Sequence, residues 1–162
     1  MMRRAIALAL ALGFGSAHAD VWESLSGRWA GEGKVSGMTA SIELEFRSAL
    51  DGSGWHLTFY NRMQAADGKV WPFRAEAFYL CGKDGVCRGH WYDTRGITLP
   101  LQTASRDDRL VVEWGDDATE RGRTTYRIGA GGALEITDEV RGEKGDWSVF
   151  GHTRAVRAAS TL

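Results

Sequence analysis

Beyond residue 27 the chain is a succession of short stretches in which apolar and polar residues alternate, separated by clusters rich in glycine and aspartate. A repeat of two places side chains on opposite faces of a strand, so each stretch reads as a β-strand with one buried face. The turn clusters centre on Ser36-Gly37, Asp51-Gly52, Asp67-Gly68, Asp84-Gly85, Arg95-Gly96, Asp107-Asp108, Asp116-Asp117, Gly131-Gly132 and Gly142 to Gly145. They divide the chain into about ten strands. No segment between them keeps helical spacing; the one helical candidate is the lead-in Val21-Trp22-Glu23-Ser24-Leu25. Every link is of hairpin length, whereas a sandwich needs long crossings between sheets. The pattern predicts an all-β fold, a single antiparallel up-and-down β-barrel with a short N-terminal helical lead-in.

Alternation also assigns an inner face. It turns inward Trp29, Gly31, Gly33 and Val35; Ile42, Leu44 and Phe46; Trp55, Leu57, Phe59 and Asn61. The later strands add Phe73 to Tyr79 in steps of two, then Gly89, Trp91 and Asp93. They continue with Leu99 and Leu101; Leu110, Val112 and Trp114; Thr124 and Tyr126; Leu134, Ile136 and Asp138; and Trp147, Val149, Gly151, Thr153, Ala155 and Arg157. If the first strand rises from a closed end at Trp29, direction can be followed as well. Asn61, Trp91, Asp93, Trp114, Thr124, Asp138 and Trp147 then gather at the opposite mouth, with Tyr126 at mid-height. Inward carboxylates need a partner, since burial without one costs several kcal/mol. Convergent polar groups in an apolar, aromatic mouth are the usual form of a small-molecule site. A single bulge would reverse the faces beyond it. In the fifth strand it would exchange Asp93 for His90 and Tyr92, and at Gly151 it would turn His152 inward.

Composition places the chain among ordinary globular proteins, with 43% hydrophobic and 25% charged residues. With 20 basic against 21 acidic residues there is no basic excess for a phosphate backbone, which argues against nucleic acid as a partner. Two of the basic residues, Arg3 and Arg4, precede the apolar run Ala5 to Gly15 and the A-x-A site Ala17-His18-Ala19. This is the layout of an export signal, too short to span a membrane. Residues 1–19 are therefore read as a signal peptide and 20–162 as one barrel domain, periplasmic or secreted and not inserted in a membrane. The two cysteines, Cys81 and Cys87, flank a three-residue loop Lys83-Asp84-Gly85 and face each other across a hairpin. In an oxidising compartment they are expected to form a disulfide. C-x5-C lacks the partners of a zinc site and the C-x-x-C spacing of a redox pair, and no metal site is expected.

Leu25-Ser26-Gly27-Arg28-Trp29, a short lead-in followed by G-x-W on the first strand, resembles the opening of the calycin superfamily, the lipocalin-like barrels. That resemblance implies an arginine on the last strand packed over the first-strand tryptophan as a closed-end plug. Arg157, with Arg154 as the alternative, occupies that place over Trp29. Among calycins the short strands look most similar to nitrobindin-like bacterial domains. This implies haem as an alternative cofactor, with His152 near the position of the haem histidine.

The function these features point to is binding of a small, partly apolar or aromatic ligand at one mouth, with no cofactor expected. Two alternatives stay open: the haem reading, and a carboxylate-dependent enzyme in which Asp93 and Asp138 act on a sugar-like substrate. No serine elbow, phosphate loop or H-E-x-x-H motif accompanies them, and no catalytic residue is assigned. The sequence leaves the oligomeric state open. Exported protein is expected to begin at Asp20 and to gain two hydrogens in mass on reduction. Two free thiols in the unreduced material would contradict the bridge, whose short loop gives about 2–3 kcal/mol of stabilisation at most.

Overall fold

A computed structural model describes residues 17–106 and 108–159. Residues 1–16, which hold the charged and apolar parts of the expected export signal, and Asp107 of the sixth turn lie outside the described residues. A nine-residue helix α1 (Ala17–Leu25) leads into ten strands. They are β1 (Gly27–Val35), β2 (Met38–Ala49), β3 (Gly54–Gln64), β4 (Val70–Cys81), β5 (Cys87–Asp93), β6 (Thr98–Arg106), β7 (Arg109–Trp114), β8 (Gly122–Ile128), β9 (Leu134–Arg141) and β10 (Trp147–Arg157). Each pairs antiparallel with its neighbours in sequence, and β1 also pairs with β10, so the sheet closes into a barrel. Closure leaves no unpaired strand edge.

Turn chemistry sets the registers. The β1–β2 link has positive φ at both Ser36 and Gly37, 49° and 78°, the type I′ geometry whose twist matches a two-residue hairpin. Five other links repeat one design: a residue before the loop donates to one four positions later, and a glycine at positive φ closes the turn. In the β4–β5 example Gly82 N–H donates to Val86 O at 3.0 Å and Gly85 to Gly82 O at 3.0 Å. That loop sets Cys81 opposite Cys87, with the sulfurs at 2.03 Å, a bonded disulfide.

The inner face follows the alternation through nine strands. Trp29, Ile42, Phe46, Leu57, Ala77, Leu110 and Leu134 are almost fully buried and form one core. In β10 the phase breaks. A bulge between Val149 and Gly151 lets Phe150 turn inward, while Trp147 and Val149 lie outside, 37% and 60% exposed. Trp147, expected inside, instead stacks on the outer face under the Arg123 guanidinium, 4.3 Å from the ring centroid. The inserted residue shifts every side chain before it to the opposite face. After the bulge the expected phase resumes, so Thr153 and Ala155 are buried and His152 is exposed.

One end is closed by α1 and the start of β1. Trp22 stacks on Trp55 with ring centroids 5.3 Å apart and planes at 9°, and also meets Tyr79 and Phe46. Trp29 donates its indole N–H to Leu25 O at 2.8 Å, and the Arg157 guanidinium covers its ring at 4.1 Å from the centroid. The same guanidinium donates to Ser26 O and, at 2.7 Å, to Ser24 O, the carbonyls where α1 ends. A cation is favourable at this pole of the helix dipole. Gly27 between these elements has φ of 106°, and a Cβ there would lie 2.7 Å from Arg157 Nη1. Only glycine meets both demands.

Trp29→Ala is expected to cost roughly 3–5 kcal/mol in chemical unfolding, as a large truncation in a packed site. Arg157→Ala is expected to cost less. The double variant should lose clearly less than the two together, because the side chains touch; strictly additive losses would contradict that contact.

Candidate functional site

The end opposite α1 opens into a cavity of about 520 Å³ inside the barrel. Alternate residues of the strands line it, because every second side chain points inward. Aromatic rings dominate the wall: Phe59, Phe73, Trp91, Trp114, Tyr126 and Phe150, with Tyr79 toward the closed end. Phe59, Phe73 and Trp91 touch one another with centroids 5.9–6.2 Å apart, and Phe150 meets the Trp114 ring edge-on at 6.4 Å.

Of the residues expected at the mouth, Asn61, Trp91, Trp114, Thr124, Tyr126 and Asp138 lie together on this wall. Asn61 is 4% exposed and its Oδ1 has no hydrogen-bond partner. The other two expected residues are elsewhere. Trp147 is outside, for the reason given by the bulge. Asp93 lies at the rim, where its fully covered carboxylate is clasped by Arg95, with Arg95 Nη2 at 2.8 Å. It is Arg95 that lines the cavity, and it also reaches Glu120 at 3.1 Å on the β7–β8 loop.

Two tryptophan N–H groups each begin a chain of hydrogen bonds ending at a carboxyl group. Trp91 Nε1 donates to Asp93 Oδ2 at 2.9 Å. Trp114 Nε1 donates to Thr124 Oγ1 at 3.3 Å, and Thr124 Oγ1 to Asp138 Oδ1 at 2.7 Å. The two carboxyl groups differ in electrostatics. Burial of Asp93 opposes its charge, but hydrogen bonds from the Arg95 side chain, the Trp91 indole and the Arg95 backbone outweigh it, leaving the pKa below the ordinary carboxylate value. Asp138 is raised above that value because burial dominates and only the Thr124 hydroxyl offsets it. Its Oδ2 has no donor among the described residues. Gly151 makes the position possible: a Cβ there would lie 2.7 Å from Asp138 Oδ2. The Tyr126 phenol is raised by burial first, then by Tyr79 and Asp138, and stays neutral.

Asp93 is not on the cavity wall and its oxygens are occupied by Arg95, so it is not placed to share a substrate with Asp138. His152 faces outward with its ring near Thr137 on the outer surface. His90 is also exposed, and His56 stacks outside on Phe78 at 4.2 Å. None of the described histidine side chains lines the cavity, and His152, on which the haem reading rests, faces away from it. Among the described residues no cluster of three or more metal-ligating side chains occurs.

Arg95, Glu120 and Phe150 belong to the cavity but escaped the sequence reading. Arg95 and Glu120 sit in links, where alternation does not apply, and Phe150 is the bulge itself. Met38 and Met63 also line the mouth, and Met63 continues the Phe59-Asn61 phase that was followed one residue too short.

The fold these elements define is similar to a known one. The crystal structure of Rv2717c from M. tuberculosis superimposes with a TM-score of 0.61 at 17% identity, covering 89% of this chain and 99% of that one. At that identity the likeness is one of fold alone. No protein-family model matches the chain, and no curated protein matches it.

Asp138→Asn is expected to change the pH dependence of stability in a set direction. A carboxyl whose folded pKa is raised contributes most below its unfolded value and loses that contribution as pH rises through the folded value. The stability of Asp138→Asn relative to wild type should therefore climb from acidic toward neutral pH. Urea titrations at several pH values test this, and a constant or falling difference would contradict it.

Proposed function

We propose that the protein is an exported, calycin-type barrel that holds a small, partly apolar or aromatic ligand in the cavity at its open mouth. The observation that carries this reading is the wall itself: seven aromatic rings around about 520 Å³, with an unpartnered Asn61 oxygen and a half-satisfied Asp138 carboxyl. That volume lies within the usual range for small-molecule sites. Buried polar groups left without partners are costly in a finished fold, and a bound molecule or water that supplies hydrogen bonds removes the cost. The closed end supports the calycin assignment, since Gly27, Trp29 and Arg157 meet as that resemblance requires. Export is supported by the signal-like leader and the Cys81–Cys87 bond. No described helix is long and apolar enough to cross a membrane.

Native mass spectrometry of freshly isolated protein is the direct test, because a co-purified molecule appears as added mass. The apolar dye N-phenyl-1-naphthylamine provides a second. Its fluorescence should rise on binding, and Trp114→Ala should weaken it about tenfold, the scale of one lost aromatic contact. Trp147→Ala, on the outer face, should bind the dye like wild type. Equal effects from both substitutions would contradict the cavity as the site.

A further inference from the structure

The charged groups on the cavity wall are Arg95, Glu120 and Asp138. Arg95 already faces two carboxylates, Asp93 at 2.8 Å and Glu120 at 3.1 Å, so the mouth has no spare positive charge. Asp138 is the opposite case. It has no cation, accepts one hydrogen bond from Thr124, and presents an oxygen without a protein donor. The groups facing it from neighbouring strands are uncharged: Thr124 and Tyr126 on β8, Gly151, Phe150 and Thr153 on β10, and Ile136 and Val140 on its own strand. Asn61 adds a second unpartnered acceptor on the same wall. Around these acceptors stand the faces and edges of Trp91, Trp114, Phe59, Phe73, Tyr126 and Phe150. An aromatic enclosure attracts cations through the negative faces of its rings.

Resting on the ligand-binding reading above, we infer that the cavity selects a small organic cation, an amine attached to a flat ring, whose ammonium group pairs with Asp138. An anionic ligand would meet Asp138 and Glu120 with no free cation to receive it. A neutral ring would fill the enclosure but leave the Asp138 oxygen unpaired. Binding has a definite proton balance. When the amine enters as R–NH3+ and Asp138 holds a proton, that proton leaves to solvent and an ammonium–carboxylate pair remains. The raised Asp138 pKa fits this, because the incoming cation restores the ionised form. Affinity for the amine therefore rises with pH until Asp138 is fully ionised, then holds while the amine stays charged, up to about pH 9.

The test uses tryptamine, neutral indole and anionic indole-3-propionate as probes of the intact chain, with isothermal titration in two buffers of different ionisation enthalpy. Tryptamine is expected to bind at least about tenfold more tightly than indole, with proton release at acidic pH that fades toward neutral. Indole-3-propionate is expected to bind more weakly than indole. Asp138→Asn should abolish both the proton release and the preference, so that tryptamine binds no more tightly than indole, and a near-ultraviolet circular dichroism spectrum like that of wild type reports an intact fold. Should Asp138→Asn not fold, Thr124→Val serves instead. It removes the donor that stabilises the carboxylate, so the pH at which tryptamine affinity half-rises must move upward. Indole and tryptamine binding alike, with no proton exchange, would overturn the inference and leave the ligand-binding reading standing. Failure of all three probes and of the naphthylamine dye would overturn both.

Discussion

Every strand of this barrel has two neighbours only because β1 is held against β10, and that seam sets the shape of everything inside it. At one end of the seam Trp29 pairs with Arg157, and the guanidinium both covers the indole and donates to the carbonyls that end α1. Along it, Gly31 lies so near β10 that a Cβ would collide with the Arg154 carbonyl and the Ala155 Cα. A barrel wall must coil tightly somewhere, and a strand with no side chain at the tightest point lets the backbones approach. The floor then follows: α1 is fixed beneath the barrel, and Trp22 fills the remaining space against Trp55 and Tyr79. With the floor packed, the cavity lies at the other end.

What distinguishes that end is two aspartates whose pKa values are pushed in opposite directions. Asp93 is kept ionised by a guanidinium that fastens the β5–β6 turn to the β7–β8 loop through Glu120. Its role is therefore architectural, holding the rim in one arrangement. Asp138 is carried inward by β9 into an aromatic enclosure, where burial raises its pKa above the ordinary carboxylate value. Environments that push two like groups apart are a common mark of functional sites. Here the separation also assigns them different work, one to the rim and one to the cavity.

Most of this was legible in the sequence because a period of two leaves little freedom once the turns are located. Asn61, Trp91, Trp114, Thr124, Tyr126 and Asp138 come from five strands, and alternation alone brings them to one wall. Trp147 was lost because one extra residue before Gly151 reverses the phase, and no composition marks a bulge whose extra residue is a phenylalanine. Arg95 was lost for another reason. Its position in a turn is set by hydrogen bonds to Asp93, including its own backbone N–H at 2.8 Å, and not by strand geometry. Trp22 was read as part of a lead-in; its place in the core depends on how α1 lies under the barrel, a long-range matter that local pattern does not encode.

The repeated hairpin design has a kinetic side. All but one of the strand pairings join neighbours in sequence, so each can form from a turn that already favours it. The remaining pairing brings Trp29 to Arg157 across nearly the whole chain. By loop-closure entropy an unstructured segment of that length would oppose the encounter by about 4 kcal/mol. The hairpins shorten the effective loop as they form, so the ends are delivered to one another by a growing, curling sheet. The pairing with the longest loop to close is thus the one at the floor, and there the Arg157 guanidinium ties β10 to both Trp29 and the end of α1.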